Sequence, residues 1–224
     1  MAMGRFRSLL CAALGLCVVC VLGAGTGLAV AAKHRKASVH SEIYLFCGFF
    51  SLPGSRSGMG ELAAMLRKQG ISATVHSSSD WQELAKEAAA KYKRGRLHSI
   101  VLVGYSAGAS TVASLAARLS ELGAPVRLAI VLDPVWPTFA DGRVDRFVNY
   151  YDRGMHIGRG KQFTGRLQNV GLHIAGLDHG SMDINKLIQK RMIRDIHAAL
   201  DNTTIKSPAL PATARACQNC SASR

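Results

Sequence analysis

The reading turns on Ser99-Ile100-Val101-Leu102-Val103-Gly104-Tyr105-Ser106-Ala107-Gly108. Residues 99–103 form a near-continuous apolar run, the pattern of a strand buried on both faces of a parallel sheet. Gly104-Tyr105-Ser106-Ala107-Gly108 follows without a break, and residues 107–122 then read as a helix ended by Gly123. This is G-x-S-x-G between a strand and a helix, the setting in which the pentapeptide has a mechanical meaning. The turn is tight, and its two glycines remove side chains that would collide with neighbouring backbone. Ser106 then stands at the carboxyl end of the strand, over a helix N-terminus whose free N–H groups and partial positive charge favour a developing anion. The bland alternative is a glycine-rich strand–helix turn with an idle serine.

Outward from this turn, short β-rich runs alternate with amphipathic helices. Strands are predicted at 43–46, 71–76, 99–103, 127–132 and 170–175, and helices at 61–68, 81–92, 107–122 and 183–200. Residues 134–166, rich in Arg, Gly and Tyr, read as irregular. This alternation implies βαβ units and an α/β three-layer sandwich, a mostly parallel sheet with helices on both faces. At 224 residues, one domain is expected, spanning 41–200, with 201–224 a loose tail containing Pro208 and Pro211.

A serine hydroxyl at its free pKa is a poor nucleophile, so Ser106 needs a base and the base needs an acid to orient it. In a strand–turn–helix architecture of this kind the order along the chain is Ser, Asp or Glu, then His. His179, in Gly176-Leu177-Asp178-His179-Gly180, falls between the last strand and the last helix, where a base can reach back over the sheet. His173 reads as a structural residue within a strand, His156 lies in the irregular segment, and His197 lies inside the last helix. Asp133 ends the strand at 127–132 and is followed by Pro134, a placement suited to holding an imidazole; its alternative is a turn-capping role. Asp178, Asp141, Asp145 and Asp183 are its rivals. An oxyanion needs backbone donors: one is expected from Ala107, the other from Gly48 or Phe49 in the loop after the first strand. Tyr105 and Phe50 are candidates for the substrate wall, although core packing suits a ring at 49 or 50 equally well.

At these residues the chain resembles the α/β-hydrolase superfamily, and within it small, cap-less, lipase- or thioesterase-like bacterial members. The pieces that carry the resemblance are Leu45-Phe46-Cys47-Gly48-Phe49, the pentapeptide at 104–108, Leu132-Asp133-Pro134, Asn149-Tyr150-Tyr151 and Asp178-His179-Gly180-Ser181-Met182-Asp183. The resemblance implies Ser106 as nucleophile, Asp133 as acid and His179 as base, with no metal and no organic cofactor. It also implies a small-molecule acyl ester or thioester as substrate. The His-Gly-Gly-Gly loop of many esterases is missing, Tyr105 stands where His is common, and the chain is short for the family's eight-stranded sheet. A family does not fix a substrate, and a non-catalytic binding protein of the cell envelope with the same fold is the competing reading.

Residues 1–32 sit apart. Arg5 and Arg7 precede an uncharged stretch that ends in Leu28-Ala29-Val30-Ala31, the pattern of a secretory signal peptide or, since it is long enough to span a bilayer, of an uncleaved anchor. Either implies a periplasmic, secreted or membrane-anchored protein. Gly23-Ala24-Gly25 is a weak echo of a dinucleotide fingerprint, but Leu28 stands where the third glycine belongs.

The net charge is +14, from 28 Lys and Arg against 14 Asp and Glu. Five of those basic residues and none of the acidic ones fall in 1–40, which leaves +9 beyond residue 40. Lys186, Lys190 and Arg194 recur opposite Ile184, Ile188, Met192 and Ile196, an ordinary amphipathic helix with a basic outer stripe. No nucleic-acid motif accompanies the charge, so no nucleic acid is expected as partner; a solvated surface comes first, and contact with an anionic membrane or envelope surface second. Cys217 and Cys220 lie in the polar tail without the context of a metal or thioredoxin site.

Overall fold

The computed structural model describes residues 40–48, 57–152 and 155–201. In chain order the elements are β1 (Ser41–Phe46), α1 (Gly58–Lys68), β2 (Ser72–His76), α2 (Trp81–Lys93), β3 (Ser99–Tyr105), α3 (Ala107–Glu121), β4 (Val126–Leu132), β5 (Phe139–Ala140), β6 (Arg143–Tyr151), β7 (Gly158–Arg159), β8 (Thr164–Gly171) and α4 (Lys186–Asp201). Six strands form one sheet in the order β2-β1-β3-β4-β6-β8, and every neighbouring pair is parallel. All strands therefore end at one edge, and the loops that follow β1, β3, β4, β6 and β8 gather there.

Strand periodicity divides the core into two layers. Tyr44, Phe46, Ile100, Leu102, Ala129, Val131 and Phe147 point to one face, against α2 and α3. Ile43, Leu45, Val101, Val103, Leu128, Ile130 and Val148 point to the other, against α1 and α4. β3 is buried along its whole length, as its unbroken apolar run required. Each fully buried Leu, Ile or Val contributes about 1.5–3 kcal/mol, whereas an exposed pair such as Lys86–Glu83 contributes about 1 kcal/mol at most. The two apolar layers, not the surface charges, hold the sheet.

Three expectations need correcting. The segment 134–166 is not irregular, because it contains β6, an interior strand paired on both sides. The last strand runs Thr164–Gly171, not 170–175. It is the sheet's edge, none of its residues is fully buried and Leu167 and Val170 are its only large apolar side chains, so hydrophobicity does not mark it. His173 consequently lies beyond the strand, at φ 47°. The last helix begins at Lys186, not at residue 183; Ile188, Met192 and Ile196 are buried on it, while Ile184 precedes it and is exposed.

Among the described residues no helix is long and apolar enough to cross a membrane. The predicted signal or anchor segment 1–32, Phe49, Phe50, Cys217 and Cys220 lie outside the described residues.

Candidate active site

The turn at Ser106 is built by close approach. A side-chain carbon on Gly104 would come within 2.3 Å of the Gly108 carbonyl oxygen, and one on Gly108 within 2.6 Å of the Phe46 carbonyl oxygen. Both contacts are impossible, so only glycine lets α3 begin directly against the ends of β3 and β1. Ser106 takes φ 56° and ψ −119°, a region that costs a residue with a side chain about 1–3 kcal/mol and persists only when its surroundings fix it. Its N–H donates to the Leu132 carbonyl at 2.9 Å, which clamps the turn to the end of β4.

Ser106 occupies the N-cap position of α3, yet its side chain makes no capping bond. Ser57, by contrast, caps α1 by accepting from the Gly60 N–H at 3.1 Å. The unusual backbone of Ser106 turns its hydroxyl away from the helix it starts, and that leaves Oγ available to another partner.

That partner is His179. Its Nε2 lies 2.9 Å from Ser106 Oγ, and its Nδ1 lies 2.7 Å from Asp133 Oδ2. The three residues come from the ends of β3, β4 and the loop after β8, brought together because every strand ends at the same edge. Asp133 also has a positive φ, 47°, and its N–H donates to the Tyr150 carbonyl at 2.8 Å, so β6 holds it in place. The carboxylate is 10% exposed and the imidazole 43%. Asp133 Oδ1 is buried and has no hydrogen-bond partner among the described residues, so the carboxylate's one hydrogen bond is aimed at the imidazole.

The rival carboxylates are engaged elsewhere. Asp178 accepts from the Ser181 N–H at 2.8 Å and caps the single 3-10 turn His179–Ser181; these bonds from Ser181 hold its carboxyl below the usual range. Asp183 accepts from the Gly58 N–H at 2.9 Å, a buried bond that ties the His179 segment to the start of α1. Burial raises the Asp183 carboxyl above its ordinary value. Asp145 pairs with Arg127, and Asp141 accepts from the N–H groups of Gly142 and Gln162. Among the other histidines, His156 meets the Tyr151 hydroxyl and His197 meets Gln69.

Ala107 is the first residue of α3, so its N–H belongs to the turn whose donors have no intrahelical partner. Gly48 lies over Ser106: a side-chain carbon there would stand 3.1 Å from Ser106 Cβ. The backbone at both positions thus lies close to Ser106. Tyr105, a candidate for the substrate wall, is buried, and its hydroxyl donates to the His179 carbonyl. Cys47 is a buried free thiol near the Ser57 hydroxyl at 3.4 Å, and burial pushes its pKa up, so it stays protonated. Among the described residues no group of three or more His, Cys, Asp or Glu is placed to hold a metal ion. The sequence missed the roles of Asp183 and Tyr105. The single signal for Asp183 was its spacing from His179, and for Tyr105 its adjacency to Ser106.

No family model matches the chain, and no curated protein matches it. Among solved structures, a candidate hydrolase of the alpha/beta superfamily from Xanthomonas campestris pv. campestris is 18% identical. That match covers 70% of this chain and 99% of the other, with a TM-score of 0.41. Est1E from Butyrivibrio proteoclasticus is 11% identical over 73% of this chain and 91% of its own, with a TM-score of 0.43. Both are distant in sequence and superpose loosely, so the chain's own residues carry the assignments that follow.

Proposed function

We propose that this protein is a serine hydrolase of the α/β-hydrolase type that cleaves carboxylic ester or thioester bonds through Ser106, His179 and Asp133. The observation that carries the reading is the unbroken hydrogen-bond chain from Ser106 Oγ through both imidazole nitrogens to Asp133 Oδ2. Ser57, at the N-cap of α1, bonds to its own helix, whereas Ser106 bonds to His179.

In this mechanism His179 Nε2 takes the proton of Ser106, whose Oγ attacks the acyl carbonyl carbon. Asp133 stabilises the imidazolium and fixes its orientation. The carbonyl oxygen, now an anion, is held by backbone N–H groups at Ala107 and at Gly48 or Phe49. The alcohol or thiol leaves with the proton returned by His179. Water, deprotonated by the same base, then releases the acid and restores Ser106. The composition of residues 1–32 supports export or membrane anchoring of this activity.

The test is covalent labelling by a fluorophosphonate, with a hydrolysis profile over p-nitrophenyl esters of rising chain length. Wild-type protein should be labelled, and Ser106→Ala should lose both labelling and turnover. An unlabelled wild-type protein that is correctly folded would leave the non-catalytic binding reading in its place.

A further inference from the structure

Tyr105 and His179 are 74 residues apart in the chain, yet they meet twice. The Tyr105 hydroxyl donates to the backbone carbonyl of His179. The two rings are stacked, with centroids 5.2 Å apart and planes inclined by 28°. One side chain thus fixes both the backbone height of the base and the plane of its ring.

The base needs such support. Its side chain is 43% exposed, and between the end of β8 and the start of α4 the chain holds only the single turn His179–Ser181. The Asp178–Ser181 capping box stiffens that turn but ties it to nothing else. The Asp183 bond to Gly58 anchors the segment on its far side, four residues beyond the histidine. Tyr105 is different, because it is the last residue of β3 and adjoins Ser106. It is 7% exposed, packed in the layer that contains Val103, Leu132 and Tyr150.

We propose that Tyr105 is a positioning residue: through its hydroxyl and its ring it holds His179 in register with Ser106, so that nucleophile and base are tied to the same strand end. Its effect on turnover rests on the hydrolase reading; its effect on the imidazole does not. Burial, aided by the carboxylates of Asp183, Asp133 and Asp178, pushes the phenol up to about 12, so the hydroxyl remains a donor throughout the neutral range. The stacked ring also faces the imidazolium that forms when Ser106 gives up its proton, a favourable contact for a cation. Displacing a reacting group by about 1 Å costs about 100-fold in rate, which sets the scale of the expected effect.

Two variants of the full chain separate the contacts. Tyr105→Phe keeps the ring and removes the hydroxyl; Tyr105→Leu removes both. Tyr105→Phe should lower kcat about tenfold, and Tyr105→Leu about 100-fold, with KM nearly unchanged, because an orienting contact acts on the transition state. In histidine-labelled protein, the His179 ring should give one sharp set of NMR signals in the wild type and broadened or doubled signals in Tyr105→Phe. Wild-type kcat together with unchanged ring signals in Tyr105→Phe would overturn the proposal. So would a lower melting temperature with kcat per folded molecule and ring signals unchanged, since that marks a purely structural side chain. Should the wild type resist fluorophosphonate, the hydrolase reading fails, and the ring signals alone still decide the role of Tyr105.

Discussion

Between β1 and β4 each strand is reached through a helix, α1, α2 or α3; between β4 and β8 the described residues contain no helix. Within residues 133–142 and 155–163, the two parallel strands β5 and β7 pair with each other. A helix is the usual crossover because it satisfies its own backbone groups. Here the two segments satisfy one another instead, through Gly158 N–H to the Thr138 carbonyl at 3.2 Å and Gly160 N–H to the Ala140 carbonyl at 2.7 Å. Ala140, Ile157 and Phe163 from these segments join the same apolar layer as α2 and α3. The division also separates the members of the proposed triad. Ser106 belongs to the helix-crossed half, on one contiguous strand, turn and helix that the Leu132 carbonyl clamps. Asp133 and His179 follow β4 and β8, in the half crossed by extended chain, where hydrogen bonds to distant residues set their positions.

The largest expected effect probes whether the second half matters to the chemistry as much as the first. Asp133→Asn presents an amide where the imidazole N–H needs an acceptor, so kcat should fall about 10,000-fold while the melting temperature changes little. Steady-state ester hydrolysis measures this, and a fall of less than tenfold would move the acid to another residue and break the assignment of the triad across the two halves.

Next comes packing. Phe147 on β6 is fully buried and meets Phe163 edge-on, with ring centroids 6.4 Å apart. Phe147→Ala should cost about 3–5 kcal/mol in urea unfolding, as for a well-packed core ring. A cost below about 1 kcal/mol would mean that the extended crossovers cover the sheet far less tightly than the helices do.

The smallest effect concerns the bond that joins the His179 segment to α1. The Asp183 carboxyl is raised in the folded protein, chiefly by burial. The folded state therefore holds this proton more tightly than the unfolded state does. The group's contribution to stability is present below its ordinary value of 3.8 and is lost as pH rises from there through the raised value. Asp183→Asn keeps an acceptor for the Gly58 N–H and removes the titration, so the melting temperature should lose part of its decline over that window. An identical pH profile in the variant would separate Asp183 from the pH response of the fold.

Legibility followed the same division. In the first half, β1 to β4 and α1 to α3 were readable within a few residues, because β3 is apolar throughout and each helix has its own periodic face. In the second half, β6 hides behind Arg143, Asp145 and Arg146, and β8 behind Thr164, Arg166 and Gln168. An edge strand needs backbone partners more than apolar side chains, so periodicity says little about it. Ser106 was legible from five residues. Asp133 and His179 were legible as candidates from their places after predicted strands, although the boundary of the last strand was misplaced.

Composition and local pattern by themselves determined the α/β class, the parallel core and the tight turn at Ser106, because these depend on neighbours in the chain: alternation, propensity and the glycines of one pentapeptide. Tertiary structure alone decided which carboxylate faces His179, since five aspartates competed and only their hydrogen-bond partners separate them. It also decided that Ser106 does not cap its own helix, that paired segments without a described helix follow β4 and β6, and that Tyr105 is buried against His179. Each of these depends on contacts between residues far apart in the chain, which exist only once all the strands end at a common edge.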